Sequence, residues 1–165
     1  MVVTRWGARF MGRRFPCAIG RGGMTADKRE GDGATPLGAW RLMLGGYRAD
    51  RARPPRTALP LSPIGPRDVW SDDVADPDYN QWRTGFTYPF SHERLRRSDP
   101  LYDLFLVSDW NWPNAEPGKG SAIFVHRWRK PRHPTAGCIA FRPDHLAWIV
   151  TRWTPRSRII LRDAG

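Results

Sequence analysis

The stretch Ala122-Ile123-Phe124-Val125-His126, followed after eight residues by Thr135-Ala136-Gly137-Cys138-Ile139-Ala140-Phe141-Arg142-Pro143-Asp144, decides how the whole chain is read. Ala122 to His126 and Cys138 to Phe141 are short apolar runs bounded by turn-forming residues, which reads as two strands joined by an Arg- and Pro-rich loop. Arg142-Pro143-Asp144 then opens a helix, because proline and an acid both suit a first turn. Leu146, Ile149, Val150 and Trp153 recur at helical spacing, and the helix ends before Pro155.

Outward from this unit, 16 Gly and 16 Pro cut the chain at short intervals, a rhythm of many short strands rather than long helices. Further strands are expected at Arg9 to Met11, Phe15 to Ile19, Trp40 to Leu44, Leu101 to Val107 and Arg158 to Leu161. A second helix is expected from Ser91 to Arg97, and a long surface loop from Asp50 to Pro66. The fold class is mainly β. With no internal repeat or linker, residues 1–165 read as a single domain, long enough to bury roughly 68 to 70 % of its unfolded surface.

Composition narrows the function. Hydrophobic residues at 40 % and nine tryptophans exclude a disordered chain. Apolar runs of a few residues fall far short of the roughly 20 that a spanning helix needs, so no membrane span is expected. Lys and Arg number 27 against 16 Asp and Glu, a net charge of +11, and only Lys28, Lys119 and Lys130 are lysines. Such a surface attracts polyanions of any kind. The charge is uneven, since Asp68 to Asp78 holds five aspartates. Cys17 and Cys138 form no C-x-x-C pair, which excludes a disulfide framework and a cysteine-rich zinc module. Near the N-terminus Arg5, Arg9, Arg13 and Arg14 break up the apolar residues, so no secretory-type apolar run is present, and Phe15 to Ile19 reads as strand rather than transit peptide.

The chemistry concentrates at Cys138 and His126. A thiol becomes a nucleophile when a neighbouring base takes its proton, and a histidine ending an adjacent strand supplies that base. Gly137 lets the backbone approach an acyl group, and the amides around Gly137 and Cys138 suit the oxyanion of a tetrahedral intermediate. The blander alternative makes Cys138 a small buried hydrophobe and His126 a satisfied strand end. His126, His133, Cys138 and His145 match no compact zinc spacing, so no metal is expected. The interleaved His126-Arg-Trp-Arg-Lys130 raises an Arg-rich nucleic-acid-binding β module as a rival, but no recognised nucleic-acid motif accompanies it. Tyr79-Asn80, Ser91-His92-Glu93 and Asn111 are polar groups suited to line a cleft, Trp110 and Trp112 suit a sugar-stacking or lid surface, and Cys17 reads as a buried strand residue.

With Ile123-Phe-Val-His126 ahead of Thr135-Ala-Gly-Cys-Ile-Ala140, and Lys28-Arg-Glu-Gly-Asp-Gly-Ala-Thr-Pro-Leu-Gly38 upstream, the chain resembles the YkuD-type L,D-transpeptidases. The upstream stretch follows the family's K-x-E-G-D-G-x-T-P-x-G segment. Read from its residues, it is a tight acidic turn leading stiffly into the strand at Trp40, a scaffold rather than a substrate contact. The resemblance implies a YkuD-like β-sandwich with one helix after the catalytic cysteine, acting on peptidoglycan. It implies attack on a stem tetrapeptide, release of D-alanine and transfer of the acyl group to an acceptor amine. Cys138 then matches the nucleophile, His126 its general base, Gly137 the oxyanion-site backbone and Thr135 the supporting Ser/Thr position, with no cofactor.

Two departures stand out. Where the family commonly reads S/T-H-G-C, an apolar residue and then Arg or Asn, this chain has Ala136 for the second histidine and Ala140 for the Arg or Asn. Without a guanidinium at 140 the substrate is expected to be gripped differently, with Arg142 or Arg132 as stand-ins and Asn111 and Tyr79 as further contacts. The expectation is a divergent branch that forms other than 3,3 crosslinks, such as 1,3. Hydrolysis of the same acyl-enzyme, an L,D-carboxypeptidase activity, is the nearest alternative. The implied substrate sets the expected location in the periplasm.

Overall fold

The computed structural model describes residues 1–163. In chain order its elements are β1 (Val2–Thr4), β2 (Gly7–Phe10), β3 (Arg13–Phe15), β4 (Cys17–Ala18), β5 (Met24–Thr25), β6 (Thr35–Pro36), β7 (Gly38–Trp40), β8 (Leu42–Tyr47), β9 (Leu61–Pro63), β10 (Asp68–Ser71), β11 (Trp82–Thr84), β12 (His92–Arg94), β13 (Leu104–Ser108), β14 (Phe124–Arg127), β15 (Ile139–Phe141), α1 (Pro143–Thr151) and β16 (Ile159–Leu161). The molecule is mainly β, as expected, and its helix directly follows Ile139–Phe141.

Two larger sheets form the frame. One has the order β3-β2-β1-β16-β7, the other β4-β15-β14-β13-β8-β9, and a three-stranded sheet β11-β10-β12 and the pair β5-β6 complete it. The chain changes sheet at Pro16, between β3 and β4, and at Arg41, between β7 and β8. Each of the expected strands Phe15 to Ile19 and Trp40 to Leu44 is therefore two strands. Proline has no N–H to give to a ladder, and between two strands none is asked of it.

Alternation along the six-stranded sheet buries both its faces. Leu106, Val125, Ile139 and Phe141 meet Val3, Trp40 and Ile159 of the five-stranded sheet, together with Leu146, Ile149 and Val150 of α1. Phe105, Val107, Phe124 and Cys138 face the other way, toward Trp70, Leu95 and Tyr102. The two clusters together place the end of β14 and the turn before β15 under the three-stranded sheet.

Two expectations fail. Ser91 to Arg97 is not a helix: His92–Arg94 is strand β12, antiparallel to β10 with Trp70 opposite Glu93. The segment offers a helix one apolar anchor, Leu95, too little for a short helix to hold, whereas pairing with β10 buries Leu95 completely. Asp50 to Pro66 is a surface loop only in its first half. Leu61–Pro63 pairs parallel to β8 at the sheet edge, where proline is tolerated, and Leu59 and Ile64 are buried on either side.

Candidate active site

The parallel pairing of β14 with β15 sets Val125 opposite Ile139 and His126 opposite Ala140. Cys138 lies two residues before Ala140, so it shares a face with the position across from His126. Cys138, His126, Gly137 and Thr135 all line one cavity of about 600 Å³.

Gly137 makes the turn before Cys138 possible. Its φ is +144, and a Cβ there would stand 3.0 Å from the Ala34 carbonyl oxygen. Its N–H donates to Thr135 Oγ1 at 3.1 Å, and Thr135 Oγ1–H donates to the Cys138 carbonyl at 2.6 Å. Thr135 thus closes the turn from inside. The Gly137 amide points back at Thr135, which leaves Cys138's own N–H as the amide nearest the reacting atom among those the sequence offered to an oxyanion.

The Lys28–Gly38 segment clamps this turn from outside. Asp32 accepts bonds from the Arg29 and Ala34 amides, each at 2.8 Å, and from buried Lys28. Thr35 Oγ1 accepts from the Gly20 N–H at 2.8 Å, and Ile19 and Arg21 bond the backbone of Thr135. Gly20 packs so closely that a Cβ would come 2.2 Å from the Gly33 carbonyl. The segment is a scaffold that also reaches the cavity, since Glu30 and Gly31 line it.

The reacting groups rest in neutral form. Burial pushes the Cys138 thiol up to about 12, with the charge of Glu93 adding to it and the Phe124 amide and Lys28 opposing. Its S–H donates to the Ala122 carbonyl at 3.1 Å while the Phe124 N–H donates to the sulfur at 3.4 Å. Burial pushes His126 down to about 4, only partly offset by a bond to the Arg127 carbonyl. That bond, from Nδ1 at 2.7 Å, fixes the tautomer: a carbonyl only accepts, so Nδ1 carries the hydrogen and Nε2 keeps its lone pair. The Tyr102 ring stands edge-on against the imidazole, 5.3 Å between centroids.

Of the expected substrate contacts, none lines this cavity. Arg142 is exposed before α1 and pairs with Asp144. Asn111 Nδ2–H bonds the carbonyls of Glu116 and Gly120, each at 3.0 Å, organising its own loop. Tyr79 is buried and donates to Glu30, so it acts on the cavity through that carboxylate. Arg132 lines a different cavity. Trp110 packs on Trp40 and Trp112 joins the second core cluster, so neither forms a lid. His145 stacks edge-on with Phe15, away from the cavity that His126 and His133 line, and no metal-holding cluster occurs among the described residues.

The cavity gains groups from elsewhere in the chain. Glu93 and Asp72 come from the three-stranded sheet and its flank, Arg97 and Tyr102 from the segment before β13, and Arg21 and Arg129 from loops. Arg97 grips Asp99 at 2.9 and 2.7 Å and reaches Glu93 only at 3.4 Å, while Asp72 Oδ1 is buried without a partner. Arg21 and Arg129 have no carboxylate partner among the described residues. Glu93 stood out in the sequence only as one polar residue among several, Asp72 only within the aspartate-rich Asp68 to Asp78 and Arg129 only within His126 to Lys130; Arg21, Arg97 and Tyr102 carried no signal, because tertiary pairing alone delivers them. Asn80, expected beside Tyr79 to line a cleft, does not line this cavity and organises its wall instead. Its Oδ1 accepts from Trp70 Nε1 at 2.8 Å and from the Ala122 N–H at 2.9 Å, which holds the carbonyl that binds the thiol.

A family model of the YkuD L,D-transpeptidase catalytic domain matches residues 5–161. No curated protein and no solved structure matches the chain.

Proposed function

The chain belongs to the YkuD family of L,D-transpeptidase catalytic domains, and from that premise we propose that it is a cysteine acyltransferase that crosslinks peptidoglycan stem peptides. The observation that carries this reading is the shared cavity wall of Cys138 and His126, with the imidazole tautomer fixed so that its lone pair is on Nε2.

His126 Nε2 takes the thiol proton as Cys138 Sγ turns from the Ala122 carbonyl and attacks the carbonyl carbon of an L-residue in the donor peptide. The Cys138 N–H stabilises the oxyanion. The intermediate collapses as the C–N bond to the D-residue breaks, the leaving amine takes the proton from His126, and a thioester remains. An acceptor amine then attacks the thioester, gives its proton to His126, and the thiolate leaves and is reprotonated. Because both groups are neutral at rest, proton transfer accompanies attack rather than preceding it.

The polarity of the cavity supports a zwitterionic peptide. Arg21 and Arg129 suit its carboxylates, and the partly unpaired Asp72 and Glu93 suit its ammonium. Ala140 is fully buried where the family's Arg or Asn would stand, which supports a donor held otherwise than in the 3,3 reaction, such as one yielding 1,3 crosslinks. The substrate lies outside the cytoplasmic membrane, which supports a periplasmic location.

Mass spectrometry of purified protein with disaccharide-peptide muropeptides tests this. Dimers lost in Cys138→Ala and in His126→Ala are expected. Tripeptides alone would indicate hydrolysis, and only ordinary 3,3 dimers would overturn the crosslink assignment. Absence of any Cys138-dependent product would overturn the acyl-transfer reading.

A further inference from the structure

A second cavity, of about 550 Å³, opens on the outer face of the five-stranded sheet. Its floor and rim come from Val2, Thr4 and four arginines, Arg9, Arg14, Arg132 and Arg162. The pairing register explains why they gather. Arg14 is opposite Arg9, Arg9 opposite Val2, and Val2 opposite Ile160, so these side chains share the outward face, and Arg162 follows Ile160 by two residues. Ala8, Phe15, Val3 and Leu161 point inward and are buried.

Arginines directly across a strand pair repel one another. Many exposed arginines elsewhere are neutralised locally, as Arg29 is by Asp27 and Arg142 by Asp144. Among the described residues none of the four arginines here has a carboxylate partner; Arg132 donates instead to the Trp6 carbonyl at 3.1 Å. Trp6 itself is 65 % exposed at the cavity rim, with the Arg5 guanidinium 4.8 Å from its ring centroid. The chain thus sustains like-charge repulsion and an exposed indole, covered only by Arg5, at one place. The loop 128–134 joins this place to the active site, since Arg129 and His133 line one cavity and Arg132 the other.

We propose that the outer face of the five-stranded sheet, formed by Arg9, Arg14, Arg132, Arg162 and Trp6, is a second binding site that holds the polymeric wall itself, a carboxylate-bearing glycan-peptide strand, beside the active site. Side-by-side guanidiniums fit planar carboxylates as paired forks. One exposed indole fits a sugar face, whereas binding of single-stranded nucleic acid uses a series of aromatic platforms. The choice of the wall rests on the acyltransferase reading; the site's anionic preference rests on the arginines alone.

Co-sedimentation with purified sacculi tests it, using the Cys138→Ala protein so that binding is read without turnover. Replacing Arg9, Arg14 and Arg162 together by glutamine is expected to weaken sedimentation about tenfold at moderate salt and to flatten its salt dependence. In the protein with Cys138 intact, the same triple replacement should leave turnover of soluble muropeptides within about twofold while lowering turnover of intact sacculi about tenfold. Trp6→Ala, which removes no charge, should weaken sedimentation several-fold, and Arg162→Gln alone serves if the triple variant fails to fold. Unchanged sedimentation of a folded variant overturns the site. Arginine-dependent binding of a single-stranded oligonucleotide in preference to sacculi overturns the choice of ligand. Failure of the acyltransferase reading would instead appear as absent Cys138-dependent product with sedimentation intact.

Discussion

Ala140 is the register partner of His126 across the β14–β15 pair, and both are buried. The position where the family commonly carries Arg or Asn therefore faces the imidazole directly, and here it is a methyl group. Restoring the common residue should harm this protein. Ala140→Arg must place a guanidinium beside a neutral buried histidine, and overpacking alone costs about 1 to 3 kcal/mol. Thermal unfolding should show a lower Tm and muropeptide turnover should fall. A stable, more active variant would mean that the cavity is built to receive a side chain there.

The Cys138 thiol, raised to about 12 by burial, should react slowly with iodoacetamide. At pH 8 its thiolate population is on the order of a thousandfold below that of an ordinary thiol near 8.5. Cys17, also raised to about 12 by burial, should be equally inert. Peptide mapping after timed alkylation reads both sites. Rapid, selective modification of Cys138 at neutral pH would indicate a preformed thiolate–imidazolium pair instead.

His126 should leave a signature in stability against pH. Its folded value of about 4 lies below the ordinary 6.5, so the unfolded chain takes up the proton first. The contribution of the neutral imidazole is complete above 6.5 and is lost as pH falls toward 4, at no more than about 1.4 kcal/mol per pH unit. Carboxylates held low by arginines, such as Asp144 beside Arg142, lose their contribution only below 3.8. Denaturant titrations should therefore show a slope between pH 6.5 and 4 that flattens in His126→Asn. The same depression predicts that kcat/KM keeps its neutral-pH value down to about pH 5; an acid limb near 6.5 would contradict it.

Asn80→Ala removes the acceptor shared by Trp70 Nε1 and the Ala122 N–H, leaving one buried and one half-buried donor unpaired. A buried orphaned group costs about 1 to 3 kcal/mol and a half-buried one less, so urea unfolding should shift by about 1 to 4 kcal/mol. Turnover should fall as well, because the Ala122 carbonyl that orients the thiol is no longer fixed. A shift below about 0.5 kcal/mol would show that water replaces the amide oxygen.

Sequence alone determined what depends on neighbours along the chain. The helix that opens at Pro143, the apolar strands on either side of the loop at 128–134, and the motif that ties Cys138 to the family are all local patterns, set by backbone preferences and side-chain period. The turn at Gly137 was legible for the same reason. Tertiary structure alone decided the rest. Pro16 and Arg41 divide what read as two strands into four because the chain changes sheet there, and no local preference records which sheet a strand joins. Within Ser91 to Arg97, His92–Arg94 became a strand because β10 offered Leu95 a buried site that a short isolated helix lacks. Asp72, Glu93, Arg97 and Tyr102 reach the cavity of Cys138 through pairings between strands distant in sequence, and Arg9, Arg14 and Arg162 share one outward face only because β16 returns beside β1. Register across a sheet is a property of which strands meet, and that is fixed by burial in three dimensions.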